Sequence, residues 1–111
     1  MLEISTQEMK RVTLITVKGR INSDTVSQLE DTLNGLLERG DTRLVVELSG
    51  VSFISSAGLR ALLAALKTAR KNGGDVRLAA PSAEVTEVLE LAGLVSVFER
   101  FEDQITAVGS F

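Results

Sequence analysis

Leu44-Val45-Val46-Glu47-Leu48-Ser49-Gly50-Val51-Ser52-Phe53-Ile54-Ser55-Ser56-Ala57-Gly58-Leu59-Arg60 is the stretch that decides the fold. Its first five residues are mostly apolar and rich in β-branched side chains, which predicts a strand covered on both faces near the middle of a sheet. Beyond the serine pair, Leu59, Leu62, Leu63, Leu66 and Ala69 recur at helical spacing. They mark one buried helix face, ended by the breaker Asn72-Gly73-Gly74-Asp75. The stretch links a buried strand to an amphipathic helix.

The flanks extend this alternation. Val76-Arg77-Leu78-Ala79-Ala80 supplies another strand, Pro81-Ser82 opens a helix with Val85, Val88, Leu89 and Ala92 on one side, and Gly93 stops it. Residues 95–98 resemble a fifth, short strand, and residues 102–108 a last helix with Ile105 and Val108 facing inward. Upstream, Leu2, Ile4 and Thr6 alternate with polar residues, and a second alternating run covers 12–17, so a hairpin is expected around Glu8-Met9-Lys10. Asn22-Ser23-Asp24 offers caps for a helix carrying Val26, Leu29, Leu33, Leu36 and Leu37 and closed by Gly40. Gly35 inside it costs about 1 kcal/mol relative to Ala without overturning the pattern.

The order β-β-α-β-α-β-α-β-α requires parallel pairing through right-handed crossovers wherever a helix separates two strands. The expectation is one α/β domain over residues 1–111, with a central, mostly parallel β-sheet, an N-terminal hairpin and about four helices. A chain of 111 residues with 44% hydrophobic side chains is long enough for one core, and buries roughly 60 to 70% of its extended surface.

Composition narrows the function. The absence of Cys and His removes the commonest transition-metal ligands, the thiol nucleophile and the usual general base near neutral pH. The expectation is a non-enzyme with no cofactor and no metal. Fifteen acidic against 12 basic residues, net −3, suit a phosphate backbone poorly, so nucleic acid is not an expected partner. There is no G-x-G-x-x-G and no G-x-x-x-x-G-K-[ST] loop, and no G-x-S-x-G elbow surrounds Ser56. Glu84, Glu87 and Glu90 read as a water-facing helix edge, Phe53, Phe98 and Phe101 as packing, and Phe111 as a terminal contact. Met1-Leu2-Glu3-Ile4-Ser5-Thr6 lacks the basic and apolar regions of a secretory signal. No apolar run approaches the ~18 residues that span a bilayer. The expected setting is cytoplasmic, without membrane insertion.

In open α/β sheets ligands and contacts gather beyond the carboxyl ends of strands, where a following helix presents unpaired N–H groups. Ser55 and Ser56 stand there. One of them reads as an N-cap, accepting a hydrogen bond from an N–H two or three residues ahead. The functional reading adds a phosphate, bringing about −1.5 to −2 charges and three strong acceptors. The helix dipole favours such an anion by about 0.3 to 2 kcal/mol, so the fold tolerates it. A covering partner would not. Away from the leucine face, Arg60, Ala64, Lys67 and Lys71 form a mostly basic stripe, readable either as a solvated face or as a docking surface whose cations steer an acidic partner.

Ser55-Ser56-Ala57-Gly58-Leu59, together with the hairpin start, Gly19-Arg20-Ile21-Asn22, Glu47-Leu48-Ser49-Gly50-Val51 and the closing helix, resembles the STAS family, named for sulfate transporters and anti-sigma-factor antagonists. The resemblance covers essentially the whole chain. It implies an anti-sigma factor antagonist in a partner-switching pathway. The unphosphorylated domain binds an anti-sigma factor that is also a Ser/Thr protein kinase, serine phosphorylation releases it, and a PP2C-type phosphatase restores binding. The family's frequent pattern at the switch is Asp-Ser-Ser/Thr-Gly-Leu. Here Ser55 takes the acidic position and Ala57 removes the second hydroxyl, which leaves Ser56 as the expected acceptor and Ser55 as the second candidate. The partner surface is expected to comprise Ser55, Ser56, Ala57, Gly58, Arg60, Ala64, Lys67 and Lys71, with Asn22 and Ser23 beside them. Two further readings stay open: a non-switching scaffold or subunit of a larger signalling or transport assembly, in which Ser56 only caps its helix, and a small serine-dependent hydrolase.

Overall fold

A computed structural model describes residues 2–111. The opening strands β1 (Leu2–Met9) and β2 (Val12–Ile21) form an antiparallel hairpin from Met9↔Val12 to Leu2↔Gly19. Strands β3 (Arg43–Ile54), β4 (Asp75–Ala79) and β5 (Arg100–Phe101) then add in parallel, giving the order β1-β2-β3-β4-β5. Three crossover helices, α1 (Val26–Glu38), α2 (Ser56–Lys71) and α3 (Ala83–Leu91), cover one face. The short α4 (Gln104–Gly109) lies on the other. This is the expected mixed α/β sheet with four helices among the described residues.

The period-2 geometry of strands explains the two layers. Leu44, Val46 and Leu48 of β3 point into the core under α1, α2 and α3, together with Ile15 and Val17 of β2 and Val76 and Leu78 of β4. Val45 points the opposite way, against Leu14, Ala79 and Ala107 of α4. Both sets are buried, which accounts for the mostly apolar run.

Several boundaries differ from the sequence expectation. Strand β3 does not end at Leu48 but continues to Ile54. Its pairing with β2 shifts between Thr16/Lys18 and between Gly19/Arg20. Each shift inserts one extra residue into β3. Such bulges break strict alternation: Val51 and Ile54 are both buried although three positions apart. The hairpin turn is Lys10-Arg11, not Glu8-Met9-Lys10, and Lys10 adopts φ 61 there. Helix α1 begins at Val26 without a side-chain cap. Asn22 instead closes the preceding turn, its Oδ1 accepting from the Asp24 and Thr25 N–H groups at 2.9 and 3.1 Å.

At the other end, residues 95–98 form a turn rather than a strand. Phe98 is buried in the core from that turn, and the ladder to β4 is made by the next residues, with Leu78 N–H donating to the Glu99 carbonyl and Ala80 N–H to that of Phe101. Ser82 caps α3 as expected and also donates its hydroxyl to the Val51 carbonyl at 2.6 Å. Ala92 lies past the helix and is exposed rather than inward-facing. Helix α4 starts at Gln104 because Asp103 caps it. That phase turns Ala107 inward and leaves Ile105 77% exposed, correcting the inward placement of Ile105; Val108 is half-buried.

Thr106, through its backbone N–H and then its hydroxyl, hydrogen-bonds the Asp103 carboxylate and holds its pKa below the ordinary aspartate value. A depressed folded-state pKa contributes stability above the unfolded value, and that contribution is lost as pH falls through the folded one. Acidification below the ordinary aspartate range should therefore loosen α4. The Thr106 amide resonance, followed by NMR, should titrate there, and should stay flat in Asp103→Asn.

Candidate functional site

The carboxyl ends of β2 and β3 lie side by side, since Ile21 pairs with Ile54. Beyond them sit the 22–25 turn and the start of α2. They are tied together by the Ser55 N–H, which donates to the Ile21 carbonyl at 2.8 Å. The fold therefore brings Asn22 and Ser23 next to Ser55 and Ser56. Asn22 is half-buried and spends its side chain on the turn; Ser23 is exposed.

The two serines are not equivalent. Ser55 is the N-cap of α2, in an extended conformation, with its Oγ accepting from the Gly58 N–H at 3.2 Å. It is half-buried. Ser56 is the first helical residue, is exposed, and its hydroxyl takes part in no hydrogen bond among the described residues. The cap function thus belongs to Ser55, and the Ser56 oxygen faces solvent beside unpaired helix N–H groups, where an added anion meets a favourable dipole.

Ala57 is half-buried, and Gly58 is buried beneath the serines. A Cβ at Gly58 would stand 2.7 Å from Ile21 Cγ2 and 2.8 Å from Ile54 Cγ1. Only Gly lets α2 approach the strand ends this closely. Gly58→Ala should cost about 1 to 3 kcal/mol through overpacking, read by chemical denaturation, and should shift the Ser55 and Ser56 amide resonances because the helix start must move.

Further along α2, Arg60, Ala64, Lys67 and Lys71 are all exposed on one face. The opposite face buries Leu59, Leu62, Leu66 and Ala69 as expected, adds Ala61 and Ala65, and leaves Leu63 only half-buried. The three cations form no ion pair among the described residues. The stripe begins one turn from Ser56.

Sequence reasoning missed one feature of this edge. Phe53 is not packed inside but 37% exposed, with the Arg20 guanidinium 4.6 Å above its ring. The two residues are cross-strand partners. The pair is readable only once the β2–β3 register is known. Phe101 is half-buried against the α4 layer, and Phe111 lies under the Arg77 guanidinium at 4.1 Å. Glu84, Glu87 and Glu90 are exposed. Among the described residues no cluster of three His, Cys, Asp or Glu side chains is placed to hold a metal ion, and no helix is long and apolar enough to cross a membrane.

Comparison with known proteins bears on this geometry. BtrV of Bordetella bronchiseptica is 29% identical over 110 residues, covering 99% of this chain and 95% of that protein. The anti-sigma-F factor antagonist RsfB of Mycobacterium tuberculosis is 28% identical over 112 residues, covering 96% of this chain and 89% of its own length. Among solved structures, the anti-sigma factor antagonist SpoIIAA in its unphosphorylated form superposes with a TM-score of 0.83 at 19% identity, covering 96% of this chain and 93% of that one. The Bacillus SpoIIAA in its phosphorylated form gives 0.78 at 18%, covering 97% and 98%. The likeness at this identity is one of fold. The family description "STAS domain" matches residues 3–107, and the chain belongs to the STAS domain family.

Proposed function

We propose that this chain is an anti-sigma factor antagonist that binds an anti-sigma factor when Ser56 is unmodified and releases it when Ser56 carries a phosphate. The observation that carries the reading is the division of labour between the serines: Ser55 spends its hydroxyl on the helix cap, whereas Ser56 offers an exposed hydroxyl at the head of a basic helix face. The names of the relatives support the activity, and RsfB is itself called an anti-sigma-F factor antagonist. The partner surface in this reading runs from Asn22 and Ser23 across Ser55, Ser56 and Ala57 to Arg60, Ala64, Lys67 and Lys71, with Gly58 setting the helix height from below. The anti-sigma factor doubles as the Ser/Thr kinase, and a PP2C-type phosphatase resets the switch. The chain acts by binding rather than by catalysis.

Incubation with a kinase-type anti-sigma factor and ATP tests this, with intact-mass measurement and pull-down. A gain of one phosphate mapped to Ser56, with capture lost in parallel, is the expected result. Capture without phosphate transfer, indifferent to substitution at Ser56, would make the chain a scaffold, and labelling of Ser56 by a serine-hydrolase probe would make it an enzyme.

A further inference from the structure

A second charged and apolar surface lies at the other end of the parallel strands from Ser56. The β1–β2 turn and α4 border a groove of about 810 Å³. Lys10, Arg11 and Arg43 line it, and these cations form no ion pair among the described residues. Glu8 is the acidic residue on its wall. Met9 and Phe111 contribute half-buried apolar surface, and Ile105 stands almost fully in solvent. Lys10 holds φ 61 in the turn, a left-handed conformation that favours Gly and costs another residue roughly 1 to 2 kcal/mol. The turn projects the Lys10 side chain at the mouth of the groove, where it is exposed.

The complement to this groove is on the same molecule. On α3, Glu84, Glu87 and Leu91 are spaced three and seven residues apart on one outward face, with Glu90 beside them. The three carboxylates form no ion pair among the described residues, and Leu91 is 81% exposed. Leu91 and Ile105 are the two most exposed large apolar side chains among the described residues. They cannot meet within one chain. Helix α3 packs Val85 and Leu89 into the core under α1 and α2, whereas the groove lies beside α4 on the opposite face of the sheet.

We propose that the groove receives the acidic face of α3 from a second copy of this chain, head to tail, with Leu91 against Ile105 and Met9 and with Glu84 and Glu87 facing Lys10, Arg11 and Arg43. An anionic membrane fits less well, because recognition of such a surface takes clusters of about four to eight cations, and the net charge of −3 repels it. The contact is heterologous, so copies add head to tail into rings or open strings. With only two exposed apolar residues at its centre, the contact belongs to the weak, transient class. Neither the groove nor the α3 face includes Ser55 or Ser56.

Sedimentation equilibrium of the full chain tests this. At about 50 mM salt the average mass should rise with protein concentration, and association should weaken at least about tenfold at about 500 mM, where charges are screened. Lys10→Glu/Arg11→Glu and Glu84→Lys/Glu87→Lys should each stay monomeric alone, whereas their equimolar mixture should associate because each groove again faces an opposite charge. Circular dichroism checks that both variants fold. Lys10→Gly should unfold at a higher temperature yet associate more weakly, a split that a purely structural role would not produce. Monomeric wild type up to about millimolar concentration, association unmoved by salt, a mixture that stays monomeric, or groove-dependent binding to phosphatidylserine vesicles in place of self-association would each overturn the proposal.

Discussion

Ser56→Asp should weaken capture of the anti-sigma factor about a hundredfold while leaving thermal unfolding unchanged or slightly raised. Ser56 is exposed at the first position of α2 and makes no hydrogen bond among the described residues that the substitution would remove. A carboxylate in the first helical turn interacts favourably with the helix dipole, by about 0.3 to 1 kcal/mol at an exposed site. The folded domain therefore loses nothing. Burial beneath a partner inverts the balance, since an ionised group taken out of water without a matched cation, or set against a like charge, costs several kcal/mol. About 3 kcal/mol corresponds to the hundredfold loss.

Ser55 supplies the contrasting control. Its Oγ is the cap acceptor for the Gly58 N–H, so Ser55→Ala should lower stability by about 1 kcal/mol while Ser56→Ala changes it by less than about 0.5 kcal/mol. Titration calorimetry against the anti-sigma factor, set beside denaturant melts of all three variants, separates a binding switch from a structural serine. Binding by Ser56→Asp within about threefold of wild type would end the switch reading.

What could be seen in the letters follows from how local each feature is. Leu44 to Leu48 announces a central strand because all of its neighbours are covered, and no register is needed to read it. Ser49 to Ile54 looks like a connection because two bulges against β2 reset the alternation, and a bulge is set by the partner strand rather than by the residues it displaces. The serine pair is legible because a strand-to-helix boundary is a local event. The Arg20–Phe53 stack depends on a register spanning 33 positions of sequence and is invisible until the sheet is assembled. Ile105 fails for a related reason. Helical periodicity fixes spacing but not phase, and in a helix of six residues the phase is set by the Asp103 cap.

Asp75 shows the same limit at larger energetic cost, and its replacement by Ala should lower stability by roughly 3 kcal/mol. In the sequence it closes a turn after Gly73-Gly74; in the structure its carboxylate is nearly sealed. One oxygen accepts from Arg70 Nε and from the Val76 N–H, each at 3.0 Å, and the other from Arg77 Nε at 3.0 Å. Gly74 permits this approach, since a Cβ there would collide with the Thr42 carbonyl, to which Asp75 donates its own N–H at 2.9 Å. The two cations do not contribute equally. The Arg70 side chain is about half exposed, so water replaces its partner cheaply. Arg77 is mostly covered, donates to the Ser110 carbonyl at 2.6 Å and hydroxyl at 2.7 Å, and pairs with the more exposed Glu99 carboxylate at 3.2 Å, so Asp75→Ala removes its buried partner and leaves the cation that organises the C-terminal segment with the solvent-facing one alone.

The expected shift in melting temperature is roughly 12 °C for a domain of this size. Asp75→Asn should cost less than half as much, because its side-chain oxygen still accepts from one of the arginines or the Val76 N–H. Amide exchange should quicken most around Ala107, whose helix rests on the β4 layer that Arg77 ties to Ser110. Equal losses for Ala and Asn would mean that charge alone matters at Asp75. Uniform exchange across the chain would mean that the carboxylate does not hold the C-terminus in place through Arg77.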